Sequence, residues 1–412
     1  MSLTFLNPHK AIAIGVVIAT SATISAQTLT FDIQNPGNES RKDVPVVLDL
    51  HELYKADAPR LTSVTITDVS TKAEIASQLD DLDGDLCFDE VAFTIDVPAQ
   101  SAVRVECKAS YDEPQRQYTP RVNAFMKVWD RKYRYPYINS IEYKGCNEPL
   151  ATYDAIYGHG AQWESELVGF RIYIDHRQSI DLYGKPTPQL VLDQTNFYST
   201  RDDLAAGRGE DILFVGASVG AGSFRGYLEG QPTYVDSVKA RGQRVIAAGP
   251  VRTIVEVTDR GWHYGSTDIE MRQLYTMYAG HRDVQVDVQM RGQDAEQLFC
   301  TGVQKLESDN TGFLQEDGLA GSWGQNIPDK ANMDLVEGVG MGVYVPAPYL
   351  HSIKEDSLNY LTIIKPLSGS IRYHLAVCAW MEQAGFKSSE EWFQWLHRWQ
   401  DELQQPCTVV LH

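Results

Sequence analysis

Positive charge is scarce in this chain: 36 Lys and Arg stand against 55 Asp and Glu, a formal net charge of −19. A protein this acidic repels nucleic acid and anionic membrane surfaces, so neither is an expected partner. Cysteine is thin as well, with residues at 87, 107, 146, 300, 378 and 407 and no Cys-x-x-Cys pair. That excludes the common zinc and thioredoxin-type frameworks. Cys87 could pair with Cys107 and Cys378 with Cys407, but free thiols in a core suit a chain of this size better. Beyond the first residues no apolar run approaches the roughly 20 residues of a membrane span. Internal repeats are absent, and helical periodicity is confined to one segment near the C-terminus.

The N-terminus reads MSLTFLNPHK, AIAIGVVIAT, SATISAQ. Lys10 precedes an apolar stretch of about a dozen residues and then small residues suited to cleavage after Ala22 or Ala26, the pattern of a secretory signal peptide over 1–26. The mature protein is therefore expected to be exported, periplasmic or secreted, and soluble, with no membrane insertion after cleavage.

What is present is β-structure. Residues 27–110 alternate as short strands (TLTFDIQN, VPVVLDL, LTSVTITDV, VAFTIDVP, SAVRVECKA) separated by polar turns such as NPGNES and DDLDGD. This predicts an antiparallel β-sandwich-like region. A linker rich in Pro, Gln and charge follows at 111–121. From 122 to 412 strand patterns continue, and the fold class expected is all-β, a large antiparallel β-sandwich. One helix is predicted near 389–404. Ser388 or Ser389 caps it, Glu390 and Glu391 favour its start, and Trp392, Trp395, Leu396, Trp399 and Leu403 form one apolar stripe read as core.

Several stretches, RKDVPVVLDL, QLDDLDGDLCFDEVAF, YGHGAQWESELVGFRIYIDHRQSIDLYGK, AAGPVRTIVEV and AWMEQAGFKSSEEWFQWL, resemble the bacterial family of unknown function DUF4861 over nearly the whole mature chain. The resemblance implies an exported protein of glycan-degrading bacteria with a galactose-mutarotase-like β-supersandwich fold, a group that includes epimerases, lyase domains and glycosidase domains. It carries over no catalytic residue.

The segment Gly158–Lys185 concentrates ionisable chemistry. In a continued strand, Arg171, Tyr173, Asp175 and Arg177 would share one face. Such a face has little to gain in a sheet unless a polar ligand lies opposite. An acidic sugar is the simplest such ligand, making an acidic oligosaccharide or polysaccharide the expected partner. His159, between two glycines, suits proton transfer near neutral pH. Tyr173 and Tyr183 are candidate proton donors, and Arg171, Arg177 and Lys185 candidate carboxylate clamps. Glu164 and Glu166 are candidates for a hydrolytic carboxylate pair, or partners of the arginines.

The locally basic, aromatic stretch 121–144 adds Trp129, Arg134 and Tyr135 as sugar-binding candidates against the bland reading of a solvated edge strand. Arg252, Trp262 and His263 are further wall candidates. Asp81, Asp83, Asp85 and Asp89 resemble a calcium loop, although Leu86 stands where an EF-hand needs glycine, so any calcium would be structural and of another type. No cofactor is required. The reaction expected is β-elimination at a uronate. Glycoside hydrolysis by acidic residues of the same cleft, and non-catalytic glycan binding or mutarotase-like behaviour, are the alternatives.

Overall fold

The computed structural model describes residues 28–129, 136–145, 154–328 and 336–412. The signal peptide expected at 1–26 lies outside them, as do Arg134 and Tyr135. Every strand pairing among the described residues is antiparallel. None of the described helices is long and apolar enough to cross a membrane. Cys87, Cys107, Cys300, Cys378 and Cys407 are free thiols. The fold class is all-β.

The chain divides into two compact units, residues up to Pro120 with 402–412, and residues 121–401. In the first unit, Thr28–Asn35, Ser101–Ser110, Ser63–Asp68, Glu74–Ile75 and Thr408–Leu411 build a five-stranded sheet, and Arg41–Asp49, Glu90–Val97 and Ser77–Asp80 a three-stranded one. Period-two alternation turns Phe31 and Ile33, Val46 and Leu48, and Val105 and Cys107 into one core between them. Two boundaries differ from those read in the sequence. The C-terminal strand joins this unit, because Phe31 to Gln34 pair with Leu411 to Thr408. The Pro- and Gln-rich stretch before Arg121 is likewise fastened here, through Gln115 accepting the Val64 amide at 2.9 Å and Tyr118 donating to Glu74 at 2.7 Å.

The second unit is the large antiparallel supersandwich. Its widest sheet has nine strands, ordered Ser140–Lys144, Ala240–Ala248, Arg252–Tyr264, Thr267–Tyr278, Asp283–Arg291, Ser370–Ala379, Glu337–Tyr344, Leu319–Asn326 and Ser308–Leu314. A six-stranded sheet holds Glu210–Asp211, Ile180–Gly184, Gly169–Tyr173, Ile156–Ser165, Val122–Val128 and Tyr137–Ile138. A five-stranded sheet contains Arg225–Leu228, Phe299–Gln304 and Asn359–Ile364. One core joins all three: Trp163, Phe170 and Ile172 from the second sheet meet Val286, Val288 and Leu375 of the first and Phe299 and Val303 of the third.

Helix Ser389–Gln404 packs on the wide sheet. Ser388 accepts the Glu391 amide at 3.3 Å, Trp392 donates to the Met341 carbonyl at 3.2 Å, and Leu396 occupies the space a Cβ would need at Gly342. Trp392, Leu396 and Trp399 are buried, so this face of the stripe is core.

Candidate functional site

The six-stranded sheet carries the chemistry. Strand Ile156–Ser165 slips register against Val122–Val128 between Tyr157 and Gln162, at Gly158-His159-Gly160. Glycine is needed on both sides: Gly158 has φ +74°, and a Cβ on Gly160 would collide with the Ile172 carbonyl oxygen. His159 itself adopts φ 63°, a left-handed conformation that costs a non-glycine residue energy and places its ring over the sheet. Gly160 lies opposite Tyr173 in the ladder, and the His159 ring stacks on that of Tyr173 with centroids 6.1 Å apart.

Arg171 is directly opposite Asp181 in the next pairing. The register therefore makes the ion pair: Nε and Nη2 donate to Oδ2 of Asp181 at 3.0 and 2.6 Å, with both residues buried. The same guanidinium donates to the Tyr198 hydroxyl at 2.9 Å and the Tyr173 hydroxyl at 3.0 Å, and reaches Asp211 at 3.4 Å. It packs over the Phe197 ring, 4.3 Å from the centroid.

The strand stops at Tyr173, which corrects the expectation of a longer one. Asp175 accepts the Arg177 amide at 2.9 Å, a local turn that competes with the ladder. Arg177 returns from that turn to lie 4.6 Å over the Tyr173 ring, its guanidinium bonded to Asp175 at 2.8 and 2.5 Å and its side chain 35% exposed.

Arg171, Tyr173 and Arg177 line an open cavity of about 470 Å³, while His159 reaches it only through its ring contacts with Tyr173 and Tyr198 and is not itself a lining residue. Arg171, Tyr173, Arg177, Ser179 and Asp181 form one wall, Phe197, Tyr198 and Ser199 another, and Glu210, Asp211 and Leu213 to Gly216 a third, with Pro328 at the edge. The third wall brings carboxyls. Burial and the Asp181 charge push the Asp211 carboxyl well above the usual range, against the pull of Arg171. Glu337 hydrogen-bonds Glu210; burial, then the Glu210 charge, hold Glu337 up at about 8. Such a bond requires one of the two carboxyls to keep a proton. Outward from the cavity, Tyr198 meets Tyr157 edge-on at 6.5 Å and Tyr157 stacks on Trp129 at 5.2 Å, with Trp129 and Tyr198 both nearly half exposed.

Other candidates stand elsewhere. Glu164 and Lys185 are fully buried and bonded to each other at 2.5 Å, Lys185 also donating to two carbonyls and Glu164 accepting the Val191 and Leu192 amides. Glu166 pairs with Arg121 at 2.6 Å. A catalytic carboxylate pair at 164 and 166 and a clamp at Lys185 are thereby corrected: Glu164 and Lys185 are in the core, and Glu166 lies past the strand's end at Ser165, so the two glutamates share no open face and none of the three lines the cavity. Tyr183 is likewise buried, bonded to Ser199 and Gly209 at 2.6 and 2.8 Å, with burial pushing it up to about 12.

Arg252 and Trp262 are buried, Trp262 packing into core aromatics, and His263, an exposed residue of a mostly buried strand, pairs with Asp268 at 3.0 Å; none lines the cavity. Part of the basic stretch is also occupied, since buried Lys127 donates to the Asp193 carbonyl and Asn196 at 2.8 Å. In the first unit, carboxylate oxygens of Asp81, Asp83 and Asp89 lie within 4.8 Å of one another, while Asp85 is outside that group and accepts the Cys87 amide at 2.8 Å. Phe197, Tyr198, Glu210, Asp211 and Glu337 had no periodic pattern to mark them. The only local cues are the Phe-Tyr and Glu-Asp doublets beside turns.

The family model described as "Domain of unknown function (DUF4861)" matches residues 33–409. The chain belongs to that family. It is also similar to "Uncharacterized protein P7" of Formosa agariphila, 21% identical over 397 residues, covering 90% of this chain and 91% of that one. Among solved structures it is similar to a protein in glycosyl hydrolase family 38 from Enterococcus faecalis (10% identity, TM-score 0.47) and to an alpha-mannosidase from Enterococcus faecalis (11%, 0.47). Each match covers 93% of this chain, and 47% and 46% of those chains, so this DUF4861 chain spans about half the length of either.

Proposed function

We propose that this DUF4861 protein is an exported carbohydrate-active enzyme that cleaves an acidic oligosaccharide or polysaccharide by β-elimination at a uronate. The observation that carries the reading is the single guanidinium of Arg171 donating to two phenol hydroxyls, Tyr173 and Tyr198, in a cavity wall shared with Arg177. A fixed cation aimed at a phenol oxygen stabilises the charge that develops when the phenol gives up its proton. Tyr173 acts as the acid, His159 as the base and Arg177, partly exposed at the wall, as the clamp on the substrate carboxylate. His159 removes the C5 proton, that electron pair forms the C4–C5 double bond, and the C4–O bond breaks with its electrons on the oxygen, which takes the Tyr173 proton. The aromatic track from Tyr198 to Trp129 offers flat faces to neighbouring sugar rings.

Hydrolysis is the second reading, favoured by the carboxyls of Glu210, Asp211 and Glu337, where a retained proton stands beside an ionised group. Incubation with uronate oligosaccharides separates the two. Elimination produces the ultraviolet absorbance of an unsaturated uronate, abolished in Tyr173→Phe. New reducing ends without that absorbance, lost instead in Glu210→Gln, would replace it with hydrolysis.

A further inference from the structure

Arg225 opens the strand Arg225–Leu228 and is 1% exposed. One terminal nitrogen donates to the Phe224 carbonyl at 3.0 Å and the other to Ser179 Oγ at 2.9 Å, and the guanidinium lies 5.1 Å from the centroid of the Tyr234 ring. Among the described residues no carboxylate pairs with it. The contrast with its neighbours is sharp: buried Arg171 has Asp181 at 2.6 Å, and buried Arg241 has Asp259 at 2.7 Å. Burial pushes Arg225 below its ordinary value, yet a guanidinium stays protonated in a protein. An enclosed positive charge without a counter-charge is costly, and packing alone gives no reason to keep it.

Ser179 is where that charge meets the cavity. It is 2% exposed, lines the cavity, and is held by its carbonyl accepting the Tyr173 amide at 3.1 Å. Its hydroxyl oxygen is engaged by Arg225, which leaves the O–H as a donor with no acceptor among the described residues. A hydroxyl polarised from behind by a cation is a stronger donor, above all to an anion.

We infer that Ser179, backed by the unmatched guanidinium of Arg225, is a subsite for an anionic oxygen, carboxylate or sulfate, of the ligand in this cavity. The inference rests on the glycan reading for its ligand class but not for its charge. Arg177 and Arg225 then act on the anion from different sides, one at the cavity surface and one beneath it. The incoming group supplies the counter-charge that the fold withholds.

Calorimetric titration of the full chain with glucuronate, glucose 6-sulfate, inorganic sulfate and glucose tests this. Binding of the anionic sugars at least tenfold tighter than glucose is expected, and the stronger of the two identifies carboxylate or sulfate as the natural group. Arg225→Met removes that preference while leaving Tm equal or higher, because a neutral chain of similar length relieves the unmatched charge. A merely structural arginine would lower Tm and leave the preference intact. Should Arg225→Met not fold, loss of the preference in Ser179→Ala supports the subsite equally. Equal binding of glucose and glucuronate by the wild type, or an unchanged preference in the folded variants, overturns it. These monosaccharides are not cleaved, so anion binding without turnover of any uronate glycan would retain the subsite and remove the elimination reaction.

Discussion

At the scale of single residues, two carboxyls show how location decides role. Glu164 is enclosed with Lys185, whose ammonium is pushed down from its ordinary value by burial against the pull of Glu164. Removing one partner strands the other, so Glu164→Gln is expected to cost about 3–5 kcal/mol in denaturant unfolding. An unchanged midpoint would mean that the pair is not enclosed. Glu337 is different, because its carboxyl is raised from 4.5 to about 8 in the folded protein. The folded state keeps this proton while the unfolded chain releases it. Stability from this group is fully present below pH 4.5 and is lost as pH rises towards 8. Glu337→Gln should therefore flatten the decline of Tm across that window; parallel pH curves for variant and wild type would contradict the assignment. Neither role could be read from the sequence. Spacing along a strand tells which residues share a face, and only the packed sheets tell whether that face is dry.

Among elements, the three-stranded meander from Ile156 to Gly184 does most to build the site. The strand that ends at Tyr173 was legible from its alternation, whereas the glycines around His159 suggested a loop and not a bulge inside the strand Ile156–Ser165. The turn at Asp175 was not legible, since Asp175 and Arg177 keep strand spacing while bonding each other outside the ladder. The remaining walls come from residues 197–216, which reach Arg171 through its bonds to Tyr198 and Asp211, contacts that no sequence period encodes. Gly160→Ala probes the bulge directly. The added Cβ meets the Ile172 carbonyl, so the ladder beside Tyr173 must move. The expected result is a loss of more than about 1 kcal/mol of stability together with loss of ligand binding. A stable variant that still binds ligand would separate the bulge from the site.

For the whole molecule, net charge works against an anionic ligand. A net charge of −19 disfavours the approach of an anionic glycan, and screening confines that repulsion to about 8 Å at physiological salt. On the proposed function, recognition would fall to a small set of cations inside one cavity, Arg177 at its surface and Arg171 fixed behind two tyrosines. The all-β class and a large antiparallel sandwich were legible in strand patterns and turn composition, and the supersandwich was implied by the family resemblance. Assignment of the last strand to the first unit was not, because pairing of Thr28–Asn35 with Thr408–Leu411 joins the two ends of the chain. The most direct test of the reaction is mass spectrometry of products formed from a uronate oligosaccharide in heavy-oxygen water. Elimination predicts a new fragment lighter by one water than its hydrolytic counterpart, with no heavy oxygen incorporated. A fragment carrying one heavy oxygen at its new reducing end would contradict it.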